Sequence, residues 1–242
     1  TVEDSLFFSR PRDVMEPATR EALAQAQQHY GTPNVVHLDA LGRSFLTEER
    51  SEASGPLLQT HTTFDVQDNP VRVVDPRQRR LNASRSEANQ VATFVYTIDM
   101  LGRELQSHNI DRGERWMLPD AMGRPAHHWT ARDAHIETTF DALSRPAAVR
   151  VTEASSTAGA PTRTAERLIY GEDLSDPQVR VKNLIGQLAK HHDQAGTVTA
   201  ERYDFRGQPL ATARQVRTGY KTEADWASPV PLHAEVFRTT TT

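Results

Sequence analysis

A five-residue turn signature recurs along the chain, and its spacing limits the possible folds more than any other feature. Asp99-Met100-Leu101-Gly102-Arg103 is followed by Asp120-Ala121-Met122-Gly123-Arg124 and then by Asp141-Ala142-Leu143-Ser144-Arg145, each Asp 21 residues after the last. Asp39-Ala40-Leu41-Gly42-Arg43 is an earlier copy and Asp204-Phe205-Arg206-Gly207-Gln208 a later one. Partial copies fill the gaps: Asp111 before Gly113, Asp133, and the pair Asp65 and Asp75. The series Asn183…Gly186, Asp193…Gly196, Asp204…Gly207 steps by 10 and then 11 residues. The underlying period is therefore near 10, doubled to 21 where the match is best. A single Asp-x-x-Gly is an ordinary turn in any β protein. Equal spacing, with Leu or Met before the Gly and Arg after it, makes these copies an internal repeat.

The unit has a direct physical reading. Asp at the first position accepts backbone N–H groups from later in the turn, and Gly three residues on takes positive φ without steric cost. Each turn reverses the chain into a strand of five or six residues, so a 21-residue unit is a hairpin. No hairpin is stable alone, and stacked hairpins make an antiparallel sheet. Phe64, Ile98, Phe140 and Tyr203, each just before an Asp, give the incoming strand an apolar contact. Arg43, Arg103, Arg124 and Arg145 are placed to bond carbonyls or carboxylates of neighbouring turns. Gly102, Gly123 and Gly207 are expected at positive φ.

The rest of the chain agrees with this texture. Pro17 followed by the Ala-, Gln- and Glu-rich stretch Ala18 to Tyr30 predicts one short helix, stopped by Gly31 and Pro33. Strands are predicted over residues 34–38, 45–49, 57–64, 71–74, 90–98, 104–109, 126–130, 136–140, 147–152, 165–170, 188–192, 198–203, 210–217 and 236–241. Residues 153–164 read as a loop or insertion, and Tyr220 to Ala227 as a turn of helix. Two regions follow: an irregular lead with the helix over 1–31, and a repeat region over 32–242. Apolar residues make up 37% and mean hydropathy is -0.63, lean for a thick core and suited to a thin layer.

Charge and composition narrow the function. Net charge is -4, so no global basic field draws the chain to nucleic acid or to a membrane. No apolar run approaches the roughly 20 residues that span a bilayer. Cysteine is absent, which excludes disulfides and thiolate metal sites. Residues 1–20 lack a signal-peptide pattern, and the abrupt ends suggest a fragment of a longer chain.

The candidate sites weigh against catalysis. His127-His128 and His191-His192 are adjacent pairs, and neighbours on a strand face opposite sides, so neither pair chelates one ion. No Gly-x-Ser-x-Gly elbow surrounds a serine, and no Gly-rich phosphate loop is present. Glu48, Glu49, Glu52 and Glu87 lie in polar segments with no sign of a paired-carboxylate cleft. The Arg77, Arg79, Arg80 and Arg85 cluster reads as a solvated turn region, with an anionic partner as the sharper alternative. Trp116, Trp129 and Trp226 read as packing residues, with a sugar platform as theirs. No catalytic residue, metal or cofactor is expected. The residues singled out are structural: the turn positions named above, with Asp193, Gly196, Asp204 and Gly207 among them.

Tyr203-Asp204-Phe205-Arg206-Gly207 and Phe140-Asp141-Ala142-Leu143-Ser144-Arg145-Pro146 resemble the Rhs, or YD, repeat: an aromatic-Asp pair, two residues, Gly, then often Arg. Ser144 replaces the Gly in one copy, and Ile98-Asp99 lacks the aromatic. Residues 31–43, Arg115-Trp116-Met117-Leu118-Pro119-Asp120 and residues 220–226 are similar to the Rhs-like part of the B component of insecticidal Tc toxin complexes. That resemblance implies an all-β fold, a curved sheet forming part of a hollow β-cocoon. It implies a C component carrying a toxic C-terminal payload and a pore-forming A component as partners, and a secreted, extracellular location. The expected function is a structural shell segment that encloses the payload. A secreted or cell-surface adhesion or carbohydrate-binding repeat module is the alternative.

Overall fold

The computed structural model describes residues 16–28, 32–52 and 55–241. The chain divides between Glu114 and Arg115 into two compact units. In the first, helix α1 (Pro17–Gln28) precedes strands β1 (Val35–Leu38), β2 (Ser44–Glu49), β3 (Leu58–Phe64) and β4 (Pro70–Val74). Helix α2 (Pro76–Asn82) then interrupts the run before β5 (Phe94–Ile98) and β6 (Glu104–Asn109). Each strand pairs antiparallel with its chain neighbour. β7 (Gly113–Pro119) crosses the division. The second unit continues with β8 (Pro125–Trp129), β9 (His135–Phe140), β10 (Pro146–Thr152), β11 (Thr162–Tyr170), β12 (Leu188–Asp193), β13 (Gly196–Tyr203), β14 (Pro209–Val216) and β15 (Phe237–Thr240). These too pair antiparallel in chain order. The fold is nearly all-β, with no parallel pairing and no crossover helix among the described residues.

One hairpin closure is used repeatedly. The pairs that flank the turns are Leu38↔Ser44, Phe64↔Pro70, Ile98↔Glu104, Pro119↔Pro125, Trp129↔His135, Phe140↔Pro146 and Tyr203↔Pro209, always with five residues between them. In each, the first turn residue donates its N–H to the carbonyl of the fifth, and the fourth donates to the first, as in Asp120 N to Arg124 O at 2.8 Å and Gly123 N to Asp120 O at 2.9 Å. This is a type I turn closed by a residue in the left-handed region, the three-residue hairpin with a bulge. The fourth position has φ of 82° at Gly42, 77° at Gly102, 81° at Gly123 and 78° at Gly207.

Buried side chains are few and small. The buried apolar set is Leu23, Ala92, Ala165, Tyr170, Leu184, Ala189, Ala200, Ala213, Ala224 and Trp226, six of them alanines. Alanine at a covered strand position lets a folded-back segment lie close to the sheet, which fits the lean composition.

Several boundaries differ from the expectation. α1 begins at Pro17, and Tyr30 lies outside the described residues. α2 stands where the arginine cluster read as a turn, and β7 had no predicted counterpart. β5 starts at Phe94, because residues 87–89 form a 3₁₀ turn and Ala92 and Thr93 are buried outside the strand. Tyr220 to Ala227 is not helical: Asp225 Oδ1 accepts Thr164 N at 2.9 Å and Trp226 N donates to Thr164 O at 2.9 Å, which ties this segment to β11 instead.

Candidate functional site

The chemistry of this chain gathers at its turns. Asp39 Oδ1 accepts the N–H groups of Leu41 at 2.8 Å and Arg43 at 3.0 Å, and its Oδ2 takes Arg43 Nε at 2.6 Å. Asp99, Asp120 and Asp141 repeat this pattern with Arg103, Arg124 and Arg145, each Nε lying 2.7 Å from Oδ2. Asp65 does the same with Asn69 replacing the arginine. Asp204 takes the N–H groups of Arg206 and Gln208, both at 2.8 Å. These bonds favour the ionised carboxylate. For Asp39 and Asp99 the arginine's backbone N–H is the largest influence, and both titrate below the ordinary range. The Arg124 guanidinium leads for Asp120; at Asp141 desolvation is largest but the bonds from Arg145 outweigh it, so both are lowered.

The same arginines reach onward to the next turn on their edge. Arg43 Nη1 donates to Asp65 O at 2.9 Å, with its guanidinium 5.1 Å from the Phe64 ring centre. Arg124 Nη1 donates to Ser144 O at 2.6 Å and lies 3.9 Å over Phe140. Arg145 lies 3.7 Å over Tyr170 and bonds Glu172 at 2.5 Å, while the Tyr170 hydroxyl donates to Pro146 O at 3.0 Å. The aromatic before one turn is thus the platform for the arginine of the turn before it. In a meander, turns on one edge come every second strand, which is the physical origin of the 21-residue spacing.

No protein-family model matches the sequence. Toxin subunit YenC2 of Yersinia entomophaga is 25% identical over 170 residues, 65% of this chain and 16% of that protein's length. The crystal structure of TcdB2-TccC3 matches with a TM-score of 0.75 at 23% identity, over 94% of this chain and 11% of that one. The structure of the Photorhabdus luminescens Tc holotoxin pore matches with 0.75 at 23% identity, over 89% and 10%. The chain is similar to the Rhs-like region of Tc toxin components. At these identities the structural likeness is one of fold.

Within this Rhs-like chain, not every residue singled out from sequence belongs to the five-residue turn. Asp193 and Gly196 oppose each other directly as a strand pair, so they close a shorter reversal of two residues. Asp193 accepts N–H groups of Ala195 and Gly196, and both its oxygens hold Arg214, at 2.8 and 2.9 Å. Gly196 has φ of 145°, and a Cβ there would lie 2.1 Å from Gln215 O. Asp133 begins no turn. It occupies the fourth position of the turn opened by Thr130, with φ of 58°. Its carboxylate binds Ser155 Oγ at 3.0 Å and Ser156 Oγ at 2.6 Å, fixing the loop after β10. Asp75 begins α2 rather than a hairpin.

The remaining candidates stay apart. His127 Nδ1 lies 3.1 Å from His135 Nε2, and both rings stack with Trp129. His191 bonds Glu166 at 3.0 Å, whereas His192 bonds Thr197 at 2.8 Å and stacks on Trp226 at 4.5 Å. Among the described residues no group of three or more His, Asp or Glu gathers as a metal site, and no helix is long and apolar enough to cross a membrane. Sequence reasoning missed the third turn position: Leu41 and Leu101 (each 76% exposed), Met122 (69%) and Leu143 (68%) are apolar side chains turned outward along the turn edge.

Proposed function

We propose that this chain is a length of structural wall in a Tc-type Rhs toxin, and that the wall encloses a toxic polypeptide until delivery. The observation that carries the reading is the onward reach of Arg43, Arg124 and Arg145. Each turn is fastened to the next on its edge, so a sheet with few buried side chains is held by its rim and extends by adding hairpins. The likeness to TcdB2-TccC3 over most of this chain, and over about a tenth of that one, fits a segment of something larger. On this reading residues 32–242 act as the repeat-built wall and residues 1–31 as a lead into it. The turn residues are structural and no chemical step is assigned to the chain. A secreted location, a C component with the payload and a pore-forming A component belong to the same proposal. Electron cryo-microscopy of the whole protein tests it. We expect this chain in the wall of a cavity with polypeptide density inside. A solid domain, or one exposed on both sheet faces, overturns the reading.

A sugar-binding module is the second reading. Trp116 lies opposite Trp129, 47% exposed, and Trp129 stacks on His135 at 4.7 Å. Saturable quenching of tryptophan fluorescence by a glycan, lost in Trp116→Ala, would favour it.

A further inference from the structure

The array is interrupted where α2 enters, because β4 and β5 are joined by residues 75–93 instead of a five-residue turn. That insert is firmly fixed. Asp75 Oδ1 caps α2 by accepting Gln78 N at 2.7 Å, and Asp75 N donates to Thr93 Oγ1 at 2.9 Å. Gln78 and Asn82 are buried and bonded to each other at 3.0 Å. Asn82 Nδ2 donates to Val91 O at 2.7 Å while its Oδ1 accepts Val91 N at 3.1 Å.

Between the insert and the sheet lies a cavity of about 460 Å³, lined by His61, Thr63, Arg72, Arg79, Asn82 and Gln90 among others. Thr63 and Arg72 are a directly opposed pair, so the strands form the floor and the insert the wall. No carboxylate lines the cavity among the described residues. Glu48, on the same face of β2, is already held by His37 at 3.1 Å and Gln59 at 2.6 Å. Neither Arg72 nor Arg79 forms an ion pair with a described carboxylate. Arg72 Nε is buried without a hydrogen-bond partner, and its Nη2 makes only a 3.4 Å contact to Gln90 O.

A buried guanidinium N–H without an acceptor is costly, and two uncompensated guanidinium groups facing one space repel. An oxyanion relieves both. The planar fork of arginine matches phosphate oxygens in pairs, and Asn82, Gln90 and Thr63 add neutral partners around them. The volume exceeds a lone monatomic ion and falls in the range of small-ligand sites. We propose that this cavity binds the phosphoryl group of a small molecule. The proposal stands independently of the wall reading.

Calorimetric titration of the full chain with inorganic pyrophosphate tests it, with citrate as the carboxylate control. We expect saturable binding that Arg79→Gln weakens about tenfold. Arg77→Gln and Arg80→Gln make the same charge change on the same helix outside the lining, and should weaken it less than about twofold. Absence of saturation, equal weakening by all three variants, or citrate binding as tightly as pyrophosphate overturns the proposal. Arg72→Gln should weaken binding at least as much as Arg79→Gln. If it loses the far-ultraviolet signal of the fold, exposed Arg79 carries the decision.

Discussion

The fifth residue of each turn has two partners at once, and its substitutions separate them. Arg124 holds Asp120 within its own turn and stacks on Phe140 beside the next. A double-mutant cycle of Arg124→Ala with Phe140→Leu, read by urea unfolding, should show a coupling of about 1 kcal/mol. At the fourth position, Gly123 has open space where a Cβ would go, so backbone conformation rather than crowding decides what is tolerated. Gly123→Val should cost on the order of 1 kcal/mol or more. Gly123→Asn should cost less, because Asp68, Asp133 and Asn183 already occupy positive φ in this chain. The turn aspartates also set an acid limit. Their folded-state pKa values are lowered, so their contribution is complete above the ordinary aspartate value of about 3.9 and is lost as pH falls through the lower folded values. Asp120→Asn should flatten the acid limb of a stability-against-pH curve. Asp and Gly positions were legible because turn chemistry is local. The ring beneath each guanidinium was not, since it lies one hairpin further along.

Elements that break the repeat are the ones the sequence hid. The Asp75-Pro76 pair carries a helix start, a capping carboxylate followed by proline at the first helical position, but the arginines after it drew the reading toward charge. β7 begins at Gly113, ends at Pro119 and carries Glu114 and Arg115, so its alternating exposure was masked by punctuation and charge. The segment around Trp226 is held by long-range bonds that no local pattern announces: Trp226 Nε1 donates to Asp193 O at 3.0 Å, and Gln194 bonds Ala165 and Ala224. Trp226→Ala should destabilise the second unit by about 3 kcal/mol or more, measured by chemical denaturation. His192 beneath that indole is partly buried, and desolvation leads the influences that lower its pKa. Its neutral form is favoured in the fold, so stability is complete above the ordinary histidine value of about 6.5 and declines as pH falls toward the lower folded value. His192→Gln should remove that slope.

At the scale of the molecule, the sheet order ends at β1 in the first unit and at β15 in the second. Both are short and largely exposed, and a strand at a sheet end presents unpaired backbone groups to other chains. Light scattering on nested constructs should therefore show the 242-residue chain associating more readily than versions carrying flanking repeats. The all-β class and the dominant hairpin were legible from the period alone. What the sheet faces was not, because alternation assigns residues to two sides without saying what meets either. The most direct test of the wall reading is limited proteolysis of the whole protein, followed on the polypeptide proposed to lie inside. That polypeptide should survive protease that readily cuts it as an isolated chain, and become sensitive when the wall is unfolded. Cleavage at the isolated rate while this chain stays folded would contradict the account.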